Sequence, residues 1–145
     1  MNIATMNDFD SILTIFQPYK KTYFSHIRQD YIKRNVEAGK VILEDGVVII
    51  YNVYKRRQKI GNAMAQRGDV HLMQIASASQ GNGNASRILN DFFREMGTNV
   101  WLSVRAENSR ARAFYEKNKM IAISDISWAK GKVPGVVYLY GKETQ

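Results

Sequence analysis

Six consecutive residues, Gln80-Gly81-Asn82-Gly83-Asn84-Ala85, lie between an apolar run, Val70 to Ala76, and an amphipathic pattern that lasts to Met96. Residues of these types make an anion cradle. Two glycines reach positive φ without steric cost and let the backbone come close to a ligand. A helix starting there offers amides with no intrahelical acceptor at the positive end of its dipole. The chemistry to expect is phosphate binding, and three kinds of phosphate loop compete. A nucleoside-triphosphate loop requires Lys and then Ser or Thr directly after its second glycine, where Asn84-Ala85 stand. A dinucleotide-binding turn requires glycine at position 86, occupied by Ser86, and an acidic residue about 20 positions on, which Glu107 fills loosely. This unit also lies in mid-chain, after a hairpin, with no second mononucleotide half. The third kind depends on a second motif further along.

The elements that must position this turn can be read from periodicity. Met1 to Met6 suits a short first strand. Asn7 or Asp8 can cap a helix with Phe9, Ile12, Leu13 and Phe16 at helical spacing, and Pro18 marks its end. Ser25 can cap a second helix through Ile27, Tyr31, Ile32 and Val36 that closes at Gly39. Val41 to Leu43 and Val47 to Tyr54 are β-branched and aromatic runs joined through Asp45-Gly46, a strong hairpin signal. The helix after the glycine turn places Ala85, Ile88, Leu89, Phe92, Phe93 and Met96 on one face and Arg87, Asn90, Asp91, Arg94 and Glu95 on the other, and Gly97 ends it. Val100 to Val104 then reads as a strand parallel to Val70–Ala76 by the crossover rule. A helix from Ser109 to about Asn118 and strands at Ile121 to Trp128 and Val136 to Tyr140 complete the series.

At 145 residues the chain suits one domain, residues 1–145, with a core of its own. A 45% apolar share with 11% aromatics argues against disorder. With no cysteine, disulfides, thiolate catalysis and cysteine metal sites are excluded. His26 and His71, the only histidines, lack ligand spacing, so no metal is expected. Neither a signal-peptide pattern nor a bilayer-length apolar run occurs, which leads to the expectation of a soluble cytoplasmic protein with no membrane contact. The net charge of +8 favours an anionic ligand or partner. Its densest segment, Gly46 to Gly68, has no acidic residue and holds Lys55, Arg56, Arg57, Lys59 and Arg67. Most such runs are solvated loops, the reading favoured here because no aromatic residues are interleaved for stacking on bases.

The second motif is Asn108-Ser109-Arg110-Ala111-Arg112-Ala113-Phe114-Tyr115-Glu116-Lys117. With the turn at Gln80–Ala85, which fits Gln/Arg-x-x-Gly-x-Gly/Ala, it resembles the paired signatures of the GNAT (Gcn5-related) N-acetyltransferase superfamily. The motifs span roughly Val70 to Met120. Asn84 stands where members usually have a branched apolar residue, and Lys119-Met120 where they have a Gly-Phe pair. The resemblance implies an α/β (α+β) fold: one mixed, mostly antiparallel sheet of six to seven strands, a central splayed parallel pair and about four helices.

It also implies acetyl-coenzyme A as cosubstrate and transfer of its acetyl group to a primary amine of a small molecule or protein, with no metal. The pyrophosphate would lie on the backbone from Gly81 through Asn82, Gly83 and Asn84 to Ala85, with Gln80 beside it. The pantetheine arm would pair with backbone groups near Met73 and Ile75 where the two parallel strands diverge, with Asn108 holding it from the other side. Asn108 also suits a plain helix cap. Tyr115 matches the family's general acid, which protonates the departing thiolate; a phenol with an ordinary pKa of ~10 is protonated at neutral pH. Its rival role is packing, since Ala111 and Phe114 share its face. For the amine proton, Asp69, His71 and water remain open. Such proteins often dimerise, so a homodimer is compatible with the reading. The two early helices and the Arg56 loop would border the acceptor, favouring one with negative character. The alternative is a nucleic-acid-directed binding or base-modifying protein on the same scaffold, gripping phosphates with Lys55 to Arg67.

Overall fold

Asp45-Gly46 reverses the chain with both residues at positive φ, 49° and 76°, the backbone a two-residue hairpin needs to match strand twist. It joins β1 (Val41–Glu44) to β2 (Val47–Val53), paired from Val41↔Ile50 to Glu44↔Val47. The computed structural model describes residues 1–19 and 28–141. Its other strands are β3 (Gln58–Ile60), β4 (Ala63–Ala65), β5 (Val70–Ser77), β6 (Val100–Arg105), β7 (Ile121–Trp128) and β8 (Val133–Tyr140). Its helices are α1 (Phe9–Phe16), α2 (Gln29–Glu37), α3 (Asn84–Met96) and α4 (Ser109–Lys117). Six strands form a sheet in the order β1-β2-β5-β6-β8-β7, with β5 and β6 parallel, while β3 and β4 pair separately. This is the expected mixed α/β architecture.

Two compact units are distinguished by their internal contacts, Met1–Tyr51 with Met73–Phe92, and Asn52–Leu72 with Phe93 onward. In the first, Ile12, Ile15 and Phe16 of α1 and Ile32 and Val36 of α2 pack on Val41, Val48, Ile50 and Ala76. Each such burial stabilises by roughly 1.5–3 kcal/mol, which explains why two short helices hold to the sheet. On the opposite strand face Tyr51 meets Phe92 of α3 edge to face, with centroids 5.4 Å apart. The expected first strand is reduced to a single bridge, Ile3↔Ile42, because Thr5 already heads a 3₁₀ turn over Met6–Asp8. Asp8 turns back to accept the Thr5 amide at 2.9 Å and leaves α1 without a side-chain cap. The expected cap Ser25 and Ile27 lie outside the described residues, as does His26; the described helix opens at Gln29.

In the second unit β8 is central, paired with β6 from Val100↔Tyr140 to Arg105↔Gly135 and with β7 from Ile121↔Leu139 to Trp128↔Val133. The segment read from sequence as a charged loop contains the β3–β4 hairpin. Ile60 and Ala65 turn inward onto Trp101 and Val137. Gly61 opens the turn at φ 60°, so close to β7 that a Cβ would run into the Asp125 carbonyl and the Ser124 hydroxyl. The Asn62 amide donates to Ser124 Oγ at 2.8 Å. At the end of α4, Lys119 takes the left-handed conformation, φ 69°, that glycine usually supplies. The Met120 amide still closes on the Tyr115 carbonyl at 3.0 Å, and Met120 is buried. Among the described residues no helix is long and apolar enough to cross a membrane, and no group of three or more His, Cys, Asp or Glu could hold a metal ion.

Candidate functional site

The glycine turn leads directly into α3. Gly81 and Gly83 sit at φ 78° and 79°, and a Cβ on either would meet nothing within 4 Å. The loop is open on the sides those atoms would fill, and its left-handed backbone suits glycine. The Asn84 amide is already bound to Asn82 Oδ1 at 3.0 Å, and the Arg87 amide to the Gly83 carbonyl at 3.0 Å. This leaves the first-turn position Ala85, together with Gly81 and Gly83, as the backbone suited to an added anion.

Two braces hold this loop, and neither is visible as a motif. At its start, Gln80 Nε2 donates to the Tyr19 hydroxyl, which donates to the Ser77 carbonyl at 2.7 Å; Ser77 Oγ donates to the Ser79 carbonyl at 2.6 Å. At its end stands the Asp45-Gly46 turn. The Ala78 amide donates to the Gly46 carbonyl at 2.8 Å, and Asn84 Nδ2 to the Asp45 carbonyl at 3.3 Å. Arg87 forms an ion pair with the Asp45 carboxylate at 2.6 Å and reaches Asn84 Oδ1 at 3.4 Å. That pairing raises the guanidinium pKa further above its usual value. Tyr19 lies 61 residues before Gln80, a separation that local sequence patterns do not span. Only the hairpin signal at Asp45-Gly46 was readable beforehand.

Met73 and Ile75 are partly buried positions of β5. The parallel ladder joins Val70 to Val100 and His71 to Trp101, and Met73 and Ile75 come after those pairs. The Tyr31 hydroxyl of α2 lies 3.9 Å from Met73 Sδ, and burial raises its phenol pKa.

Asn108 and Tyr115 belong to α4. Asn108 is the helix N-cap, its Oδ1 accepting from the Ala111 amide at 3.2 Å. Tyr115 is partly exposed as a residue, yet its phenol is desolvated, and its pKa is pushed well above the ordinary 10.0. Its hydroxyl has no hydrogen-bond partner among the described residues. The ring lies against Phe114 and Tyr138, with centroids at 5.6 and 6.1 Å. Buried Tyr138 ties the helix to β8: its hydroxyl donates to Glu116 Oε2 at 2.6 Å and accepts from Arg112 Nε at 3.1 Å. Arg112 also donates to the Ala106 carbonyl at 3.2 Å.

The two side chains considered for proton removal have different surroundings. Asp69 is only 5% exposed, and its Oδ2 accepts from Trp101 Nε1 and from the Gln66 amide, both at 2.9 Å. Burial on these terms makes it a structural anchor for the loop before β5. His71 stacks on Tyr54 with centroids 5.8 Å apart and planes 15° apart. Desolvation lowers its pKa below 6.5, so the imidazole is neutral at pH 7. Its nitrogens have no partner among the described residues. Tyr54 is pushed up to about 12 by burial and by the Asp69 charge, and stays a neutral platform.

The model of the acetyltransferase (GNAT) family matches residues 6–120. No curated protein matches. Solved structures with a similar fold include a GNAT-family acetyltransferase from Streptococcus agalactiae 2603, at TM-score 0.74 and 14% identity, covering 97% of this chain and 94% of that one. An Arabidopsis thaliana NAA60 structure in complex with acetyl-CoA aligns at TM-score 0.68 and 13% identity, covering 97% of both chains. The ribosomal-protein-S18-alanine N-acetyltransferase of Escherichia coli aligns at TM-score 0.65 and 15% identity, covering 97% of this chain and 91% of that one. At such identities the likeness is one of fold.

Proposed function

The chain belongs to the acetyltransferase (GNAT) family, and from that premise we propose that it moves an acetyl group from acetyl-coenzyme A to the primary amine of a peptide or protein. The observation that carries this reading is the open, left-handed turn at Gly81 and Gly83 ahead of α3. It fits a pyrophosphate, which needs close backbone approach and unpaired amides. The amine class follows neighbours such as the Escherichia coli enzyme named for a ribosomal-protein alanine. Bound acetyl-coenzyme A supplies the activated thioester. Gly81, Gly83 and Ala85 would hold its phosphates, with Gln80, Asn82 and Asn84 shaping the loop around them. The β5 backbone at Met73 and Ile75 would receive the amide-bearing arm, and Asn108 would fix its course from the α4 cap.

Two groups then handle protons. Tyr115 keeps its proton through neutral and alkaline pH and would give it to the leaving sulfur. His71, neutral and unbonded, is better suited than anchored Asp69 to accept the amine's proton, directly or through water. Because burial lowers the His71 pKa, the neutral form persists as pH falls through 6.5 and is lost only below the folded value. The acid limb of kcat/KM is therefore expected below pH 6.5, and His71→Gln should remove that inflection and lower kcat/KM about tenfold or more. A limb unchanged in the variant would return the task to solvent.

The Asp45–Arg87 pair gives a separate prediction. Without Arg87, the Asp45 carboxylate stands uncompensated beside a phosphate site. Arg87→Ala should raise KM for acetyl-coenzyme A about fivefold with kcat unchanged, and adding Asp45→Asn should recover most of it, as expected for exposed charges screened by salt. The reading as a whole is tested by following free thiol release from acetyl-coenzyme A across a panel of peptide and small-molecule amines. Amine-dependent release is expected, and release independent of every amine would reject acyl transfer to nitrogen.

A further inference from the structure

Lys55, Arg56, Arg57, Lys59 and Arg67 are all exposed, and among the described residues none has an ion-pair or hydrogen-bond partner. Three arginines elsewhere are engaged, Arg87 by Asp45, Arg105 by Glu107 at 3.7 Å, and Arg112 by Tyr138. No acidic residue occurs between Gly46 and Gly68, so these five cations repel one another without local compensation. Lys59 lies on the β3–β4 hairpin, and the other four flank its two strands. The hairpin is pinned by Ile60 and Ala65 against Trp101 and Val137, and by Gly61 and Asn62 against the β7 backbone and Ser124. Unpaired like charges on and beside an anchored hairpin concentrate counter-ions and favour a polyanion.

The choice of polyanion follows from the neighbouring side chains. Residues 55–67 contain no aromatic ring on which a base could stack, and Tyr54 is committed to His71. Met64, by contrast, is 41% exposed and directly opposite Lys59 in the hairpin register. An apolar spot beside cations suits a chain with acidic and apolar side chains better than a sugar-phosphate backbone. We infer that the β3–β4 hairpin, with the basic residues that flank it, is the docking surface for an acidic segment of the polypeptide acceptor. The identity of the bound chain as acceptor rests on the acyl-transfer reading; the binding of an acidic polypeptide does not.

The test uses the full chain and a fluorescein-labelled peptide with a free N-terminal amine followed by an aspartate- and glutamate-rich tract. A neutral peptide of equal length is the control. Anisotropy titration should show the acidic peptide binding about tenfold more tightly at ~0.1 M salt, with the advantage fading as salt is raised. Arg56→Glu combined with Arg57→Glu and Lys59→Glu should abolish the advantage while leaving the affinity for acetyl-coenzyme A unchanged. Equal binding of the two peptides, retention of the advantage in the reversed variant, or preferential displacement of the acidic peptide by a single-stranded RNA would each overturn the inference. Thiol release measured on the same samples separates the two readings. Acetylation without charge preference sinks the hairpin inference alone, and charge-selective binding without acetylation sinks acyl transfer alone.

Discussion

Tyr115→Phe is expected to lower kcat about a hundredfold while the dissociation constant for acetyl-coenzyme A stays within about twofold, the size usual for losing one positioned proton donor. The variant keeps the ring that packs on Phe114 and Tyr138, and the hydroxyl it loses makes no hydrogen bond among the described residues. Folding should therefore be nearly unaffected, and the loss should appear in turnover. The pH profile gives the sign independently. Desolvation holds the phenol pKa above 10.0, so the wild-type enzyme should keep its acid form, and its kcat, throughout the alkaline range up to that value. Equal turnover in the variant, or a wild-type decline centred near neutral pH and absent from the variant, would remove Tyr115 from proton donation.

Gly83→Val should act on binding instead. At φ 79° a β-branched residue is strained, and the space its side chain would enter is the open side of the loop. Obstruction of the cradle predicts a dissociation constant for acetyl-coenzyme A raised about thirtyfold or more. The backbone strain of about 1–2 kcal/mol is present with or without ligand, so urea unfolding should show a stability loss of that size, and native protein should still bind the coenzyme weakly. Unchanged affinity would mean that the phosphates are held elsewhere.

These two predictions concern residues that local patterns pointed to, and the reason is physical. Gly81, Gly83 and the Asp45-Gly46 turn need positive φ, and glycine is the residue that supplies it cheaply, so backbone demand is written directly into residue type. The amphipathic stripe of α3 and the cap at Asn108 are likewise local. What was not legible depends on chain segments brought together by folding. Tyr19 reaching Gln80, Arg87 pairing with Asp45, and Tyr138 joining Arg112 to Glu116 span 22 to 61 residues. The β3–β4 hairpin was passed over because each strand has three residues, too few to show alternation, and because its charges suggested a loop; the Gly61-Asn62 pair was the available turn signal. Asp69 was one of three open candidates for proton removal, and nothing in the local sequence marks the hydrogen bonds that Trp101 and Gln66 donate to it. Lys119 replaced an expected glycine without losing the turn, since the amide of Met120 still closes on Tyr115.

Binding of acetyl-coenzyme A by the glycine turn is the step on which every other proposed role depends. Calorimetric titration of the full chain with acetyl-coenzyme A, run beside Gly83→Val and beside a nicotinamide dinucleotide, tests it most directly. One saturable site for acetyl-coenzyme A is expected in the wild type, with severe weakening in the variant and no binding of the dinucleotide. No saturable heat with acetyl-coenzyme A, or equal binding by wild type and Gly83→Val, would contradict it.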